Sequence, residues 1–158
     1  MAKRFWLMKS EPEVYSIEDL ERERETGWEG VRNYQARNFM RDDMKQGELV
    51  LFYHSNAEPS GVAGLAKVSS DPTPDASQFD PHSEYFDAAS SKTSPKWVHV
   101  TISFVERFDE LVTLARLKAE KNLAGMALLR PGQRLSVQPV DEGHFARVLR
   151  LAKARARV

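Results

Sequence analysis

Three strand-like runs follow one another with no helical pattern between them, and this restricts the fold more than any other feature. GELVLFYHS (47–55) and GVAGLAKVSS (61–70) are joined only by the turn residues of NAEPSG. The first is rich in Val, Phe and Tyr, the residues that fit a pleated surface. WVHVTISFVERF (97–108) is the longest run and alternates, with Val98, Val100, Ile102 and Phe104 pointing one way. A parallel doubly wound sheet needs a helix between successive strands. Three runs without one argue for a mostly antiparallel sheet.

The remaining elements fit around that unit. FWLMKS (5–10) reads as a first strand stopped by Pro12. Ser16 is placed to cap a charged helix over 16–25, with Asp19 three residues on. TGWEGVRN is a loop punctuated by Gly27 and Gly30. A second helix follows over 33–46, with Asn33 as cap, Ala36, Phe39, Met40 and Met44 on its buried face, and Gly47 as its stop. Residues 71–96, full of Pro, Ser, Asp and Ala, read as one long loop. A short amphipathic helix over 112–123 carries Leu114 and Leu117. After the turn at Pro131-Gly132, LSVQPV (135–140) is a last strand, and Asp141 caps a helix striped by Phe145, Val148, Leu149 and Ala152. The order β-α-α-β-β-β-α-β-α predicts an α+β fold, with a curved, mostly antiparallel sheet and short helices around it.

The 158 residues suit one domain, with a basic tail from about residue 152. A content of 41% hydrophobic and 29% charged residues is that of a globular chain. With no cysteine, disulfides and thiolate metal sites are excluded. The apolar part of the start, Phe5 to Met8, is shorter than the roughly 7–15 residues of a secretory signal. No run approaches the roughly 20 apolar residues of a membrane span, so no membrane role and a cytoplasmic location are expected. Lys plus Arg and Asp plus Glu balance at 23 each, which counts against broad phosphate-driven binding but leaves room for a local basic patch. The sequence sets no oligomeric state, and a monomer is the working expectation.

Signs of catalysis are sparse. His54, His82, His99 and His144 share no metal-ligand spacing. There is no phosphate-binding glycine loop and no GxSxG elbow. Asp42/Asp43 and Glu106/Asp109 read as solvated ion-pairing acids. No catalytic residue, metal or cofactor is expected.

Binding has better support. Residues 6–12, 28–38 and 52–56 share apolar walls with a few polar groups at element ends, and Arg134 to Val137 repeats the theme. A flipped-out base needs an aromatic wall and hydrogen-bonding groups aimed at its edge. Trp28 or Tyr34 can be the wall. Ser10, Glu11, Asn33 and Ser55 can read the edge, while Lys9, Arg32 and Arg37 can hold phosphate, and Tyr53 lies in the third segment. Each residue also has a plain structural role open to it. Trp28 can be core, Asn33 a helix cap, one of Arg32 and Arg37 a partner of Asp42 or Asp43, and Ser10 and Ser55 strand ends.

WLMKSEP, GVRNYQARN, LVLFYHSN and RLSVQPV, in that order from Phe5 to about Leu151, resemble the EVE domain of the thymocyte nuclear protein family and its bacterial relatives. YSIEDL and PDASQFDP…YFD add to the likeness. The resemblance implies a PUA-like fold, a small curved β-barrel or open barrel with helices around it, akin to the YTH and SRA domains that hold methylated bases. It implies a non-enzymatic reader of a modified base in DNA or RNA. It also implies that Lys9, Ser10 and Glu11 lie at the pocket rim and Trp28 in or beside the cage. Asn33, Tyr34 and Arg37 then come from the signature helix start, Ser55 closes the pocket, and Leu135 and Ser136 line it. A nucleoside-like metabolite in the same pocket is the alternative ligand, and an enzyme acting on modified nucleic acid the more distant one.

Overall fold

FWLM and LVLFY are continuously apolar because both faces of their strands are covered. In the computed structural model, which describes residues 3–158, β1 (Phe5–Ser10) is the second strand from one edge of a six-stranded sheet. Its even residues Trp6 and Met8 pack into one core with Val50, Phe52, Met40 and Ile102. Its odd residues Phe5 and Leu7 pack into a second core with Leu51, Tyr53, Phe145 and Leu149.

The other strands are β2 (Glu25–Gly27), β3 (Leu49–His54), β4 (Gly61–Val68), β7 (Thr101–Thr113) and β8 (Val137–Val140), in the sheet order β2-β7-β4-β3-β1-β8. Between β4 and β7 in the chain, β5 (Thr73–Pro74) and β6 (Val98–His99) form a separate small ladder. The expected α+β architecture is observed. All pairs in the large sheet are antiparallel except β1 with β3, whose connection passes through helices and so permits a parallel pairing. Bulges in the β3–β4 and β4–β7 ladders curl the sheet into a half-barrel. Gly64 sits at one of them, where a Cβ would meet the Glu106 carbonyl at 2.4 Å and the Ile17 side chain at 2.8 Å.

Among the described residues four α-helices flank the sheet: α1 (Ile17–Glu23), α2 (Tyr34–Asn38), α3 (Leu114–Ala119) and α4 (Glu142–Leu151). Ser16 caps α1 in a reciprocal capping box with Asp19. The helix over 33–46 is shorter than expected. After Asn38 it continues as a π-helical turn over Phe39–Asp43, closed by the Met44 N–H on the Phe39 carbonyl at 2.9 Å. The chain turns out of α1 at Arg24 (φ 73°) into β2, a three-residue edge strand too short to show alternation. Val98, Val100, Ile102 and Phe104 do share one core, but Val98 belongs to β6, Val100 lies between the two strands, and Ile102 and Phe104 belong to β7.

The stretch 71–96 is built around two buried polar side chains, Asp75 and Gln78. Gln78 donates to the carbonyls of Asp75 (2.7 Å) and Trp97 (2.8 Å), and accepts from the Trp97 N–H (3.0 Å) and Ser90 Oγ–H (2.6 Å). A buried carboxylate ties the two ends of the first core as well. Glu48 accepts the Trp6 indole N–H (2.9 Å) and the backbone N–H groups of Arg4 and Lys45 (2.8 Å each). The C-terminal tail is tied down by the Arg155 and Ala156 N–H groups on the Glu106 carboxylate.

His54 closes β3 and holds α1, because its Nε2 accepts the Ile17 N–H at 3.1 Å. Burial pushes its pKa below the usual value, with the Glu18 carboxylate offsetting part of that. The unfolded chain therefore takes the proton more readily. The contribution of neutral His54 to stability is complete above a pH of about 6.5 and is lost as pH falls towards the folded pKa. The expected result is a Tm that drops between pH 7 and pH 5 more steeply in the wild type than in His54→Gln. Parallel slopes by differential scanning calorimetry would contradict this.

Candidate functional site

At the end of the sheet where β1 and β3 stop, the chain opens a cleft of about 680 Å³. Each side comes from a different part of the sequence. Lys9, Ser10 and Glu11 come from the end of β1, Ser55 and Asn56 follow β3, Thr26 to Arg32 run from β2 into the loop after it, Gln133, Arg134 and Ser136 precede β8, and Tyr85 reaches in from the long 71–96 segment. The strand ends are locked to one another. The Lys9 N–H donates to the Ser136 carbonyl at 2.8 Å and the Ser55 N–H to the Ser10 carbonyl at 2.9 Å. The Ser10 hydroxyl donates to the Tyr15 carbonyl at 2.6 Å, and the Asn56 amide to Glu11 at 3.0 Å.

Asp75 sets the position of the wall after β2. Its carboxylate is fully buried and accepts the Gly30 N–H (2.8 Å), an Arg32 N–H (3.1 Å) and the Ser77 N–H (2.9 Å). Burial raises its pKa, but hydrogen bonds from Ser77, Gly30 and Arg32 outweigh this and hold the carboxyl below its usual range. Arg32 donates five hydrogen bonds, to Asp75, the Ser77 hydroxyl, the Val31 carbonyl and, twice, the Tyr85 carbonyl. A guanidinium has five N–H groups, so Arg32 lines the cleft with no donor left over. Its partner is Asp75; Asp42 pairs with Arg41 and Asp43 with Arg4. Gly30 adopts φ 85°, and a Cβ there would come within 2.7 Å of the Tyr85 ring.

Trp28 is the apolar floor. It is 8% exposed and meets Phe52 edge to face at 5.6 Å. The other two tryptophans spend their indole N–H groups inside the protein, Trp6 on Glu48 and Trp97 on Asp87. The Trp28 indole N–H has no partner among the described residues and is not sealed from solvent. The Ser55 and Ser136 hydroxyls, the Lys9 ammonium and the Arg134 guanidinium also lack side-chain partners among the described residues and line the same space. Partial burial lowers the Lys9 pKa. Tyr15 is pushed up to about 12, first by burial and then by its bond to Glu23, so it remains a phenol. The cleft is thus a flat apolar floor ringed by available donors, an environment for a planar ligand rich in acceptors.

Of the residues singled out in the sequence, Lys9, Ser10, Glu11, Trp28, Arg32, Ser55 and Ser136 meet in this cleft. Five others do not line it. Asn33 caps α2 through the Ala36 N–H at 3.0 Å. Tyr34 and Arg37 lie on the outer side of the wall, where Tyr34 stacks on Trp97. Tyr53 is buried in the core on the opposite sheet face, since it alternates with Phe52. Leu135 is partly buried against the core beneath the cleft. Tyr85, Thr26 and Gln133 are lining residues that no pattern singled out. Among the described residues no group of three His, Asp or Glu side chains is placed to hold a metal ion. Among the same residues no helix is long and apolar enough to cross a membrane.

The family model of the EVE domain matches residues 4–151. The chain belongs to the EVE domain family. This EVE domain is 43% identical to human thymocyte nuclear protein 1 over 164 residues, which cover 92% of the chain and 72% of the relative. Its fold superposes on a protein from Leishmania major with a TM-score of 0.91 at 45% identity, covering 96% of each chain. It superposes on the human THYN1 protein in complex with 5-methylcytosine containing DNA with a TM-score of 0.90 at 40% identity, covering 98% of this chain and 100% of that one. A YTH domain from Zygosaccharomyces rouxii shares the fold alone, with a TM-score of 0.54 at 16% identity over 95% of this chain and 86% of that one.

The Asp75–Arg32 pair of this EVE domain gives a direct stability test. Arg32→Leu leaves a buried carboxylate without its cation, a change that costs about 3–5 kcal/mol for buried pairs. Asp75 keeps its bonds from Ser77 and Gly30, so the lower end of that range is expected in urea unfolding. Adding Asp75→Asn should recover part of the loss. An Arg32→Leu protein as stable as the wild type would contradict the arrangement.

Proposed function

We propose that this EVE domain binds nucleic acid and takes a single modified base, 5-methylcytosine being the class to test first, into the cleft over Trp28. The observation that carries the reading is the Trp28 indole, the one tryptophan whose N–H is left open, set among the open groups of Lys9, Ser55, Ser136 and Arg134. A pyrimidine offers ring nitrogen and carbonyl acceptors to such donors, and its face offers a stacking partner. The DNA complex of the human THYN1 protein, a relative 40% identical across nearly the whole chain, supports a methylated pyrimidine as ligand. In this reading Trp28 is the wall, the Ser55 and Ser136 hydroxyls meet the base edge, and Lys9 and Arg134 face the phosphate. Arg32 holds the wall in place through Asp75. The domain acts as a reader and not a catalyst.

The magnitudes favour modest affinity with real discrimination. Stacking of one base on an aromatic side chain contributes roughly 1–3 kcal/mol. One methyl group in an apolar pocket separates ligands by roughly 1–3 kcal/mol, about 10- to 200-fold.

Fluorescence titration with oligonucleotides carrying cytosine or 5-methylcytosine tests this. The methylated strand is expected to bind about tenfold tighter or more. Trp28→Phe, which keeps an apolar ring but deletes the N–H, is expected to weaken binding with little change in Tm. Arg134→Gln is expected to lower the slope of log Kd against log salt by roughly 0.7–0.9, one phosphate contact. Equal binding of both strands by the wild type would contradict the reading. Free nucleoside bound as tightly as the oligonucleotide, without salt dependence, would point to a small-molecule ligand instead.

A further inference from the structure

The outer side of the cleft wall carries an aromatic surface that the cleft itself does not use. Tyr34, the first residue of α2, is 53% exposed although it stacks on Trp97, with ring centroids 4.8 Å apart and planes 24° from parallel. Trp97 is buried beneath it and pinned through Asp87. The Arg37 guanidinium stands 4.8 Å from the Tyr34 ring and 5.8 Å from the Trp97 ring. These three spacings form a nearly equilateral triangle. Were Arg37 stacked on the outer face of Tyr34, it would stand roughly twice the ring spacing from Trp97. It lies beside the pair instead, held by the Lys96 carbonyl at 2.9 Å and by Asn38 at 2.8 Å. The outer face of Tyr34 is therefore open, with a fixed cation at its edge.

This surface is joined to the cleft. Arg32 stands 5.3 Å from the Trp97 ring and 5.5 Å from the Tyr85 ring, and Tyr85 lines the cleft. Tyr34, Trp97, Arg32 and Tyr85 thus form a continuous series of packed planar groups that ends at the cleft. Packing explains the inner face of Tyr34 but gives no reason for a large aromatic ring with its other face in water.

We propose that Tyr34 is a stacking shelf for an unpaired base a short distance along the same strand from the one in the cleft, with Arg37 steering its phosphate. The inference rests on the cleft being the modified-base site. It adds that the preferred partner is single-stranded on that side, because a base within a duplex has no free face to stack.

Three probes separate the two readings: the 5-methylcytosine nucleoside, a nine-nucleotide single strand with central 5-methylcytosine, and the same strand with every position other than the 5-methylcytosine abasic. Tyr34→Ala is expected to weaken binding of the intact strand at least about fivefold, the low end of base–aromatic stacking. Binding of the nucleoside and of the abasic strand should stay unchanged. Tyr34→Leu, which keeps an apolar cover on Trp97, should behave like Tyr34→Ala, and Tyr34→Phe like the wild type. If Tyr34→Ala and Tyr34→Leu bind the intact strand as the wild type does, or weaken all three probes equally, the shelf is wrong while the cleft stands. If the wild type binds none of the three probes, the cleft reading falls and the shelf with it.

Discussion

The buried carboxylate of Asp75 is the constraint on which the cleft depends. It lies between the short strand β5 and a 3-10 turn over Ala76–Phe79 that it caps, and it takes hydrogen bonds from Gly30, Arg32 and Ser77 and so joins two segments more than forty residues apart. A carboxylate removed from water is costly unless its lone pairs are filled. Here the filling groups are the ones that shape the wall: the Gly30 backbone bent at positive φ under the Tyr85 ring, and the Arg32 side chain spent entirely on local acceptors. The charge on Arg32 thus serves the rigidity of the site, which leaves ligand contact to less committed neighbours.

That division recurs through the molecule. Trp6, Trp97 and Trp28 are all buried, but the first two are closed by Glu48 and Asp87. Trp28 lines the cleft and meets Phe52 edge to face. A sheet covered on both faces supplies the stiffness, because β1 and β3 cannot shift without disturbing two cores. Their ends, where Ser10 and Ser55 pair, consequently hold polar groups in fixed positions on a rigid frame.

Much of this was legible in the residues. The alternation in 97–108, the Ser16–Asp19 capping box and the stripe of the last helix are local physics, and local physics reads well from sequence. The four segments with mixed apolar and polar character do supply most of the cleft, since strand ends that carry polar groups tend to be used. What escaped was set by distant partners. Asp75 and Tyr85 lie in a Pro-, Ser- and Asp-rich stretch whose order comes from buried hydrogen bonds and not from periodicity. One of Arg32 and Arg37 was expected to pair with Asp42 or Asp43, and Arg32 instead found an acid 43 residues on. Tyr53 is separated from Phe52 by the strand alternation itself, which carries it to the other core. Asn33 satisfies its helix start, a role its position already offered.

The indole N–H groups give the most direct test of the central claim. In a ¹⁵N-labelled protein three tryptophans yield three side-chain signals, and of these only the Trp28 N–H lacks a hydrogen-bond partner among the described residues. Titration with a single strand carrying 5-methylcytosine should move the Trp28 indole signal strongly and leave those of Trp6 and Trp97 near their free positions. A ligand that binds while the Trp28 signal stays still would place the site elsewhere and contradict the account.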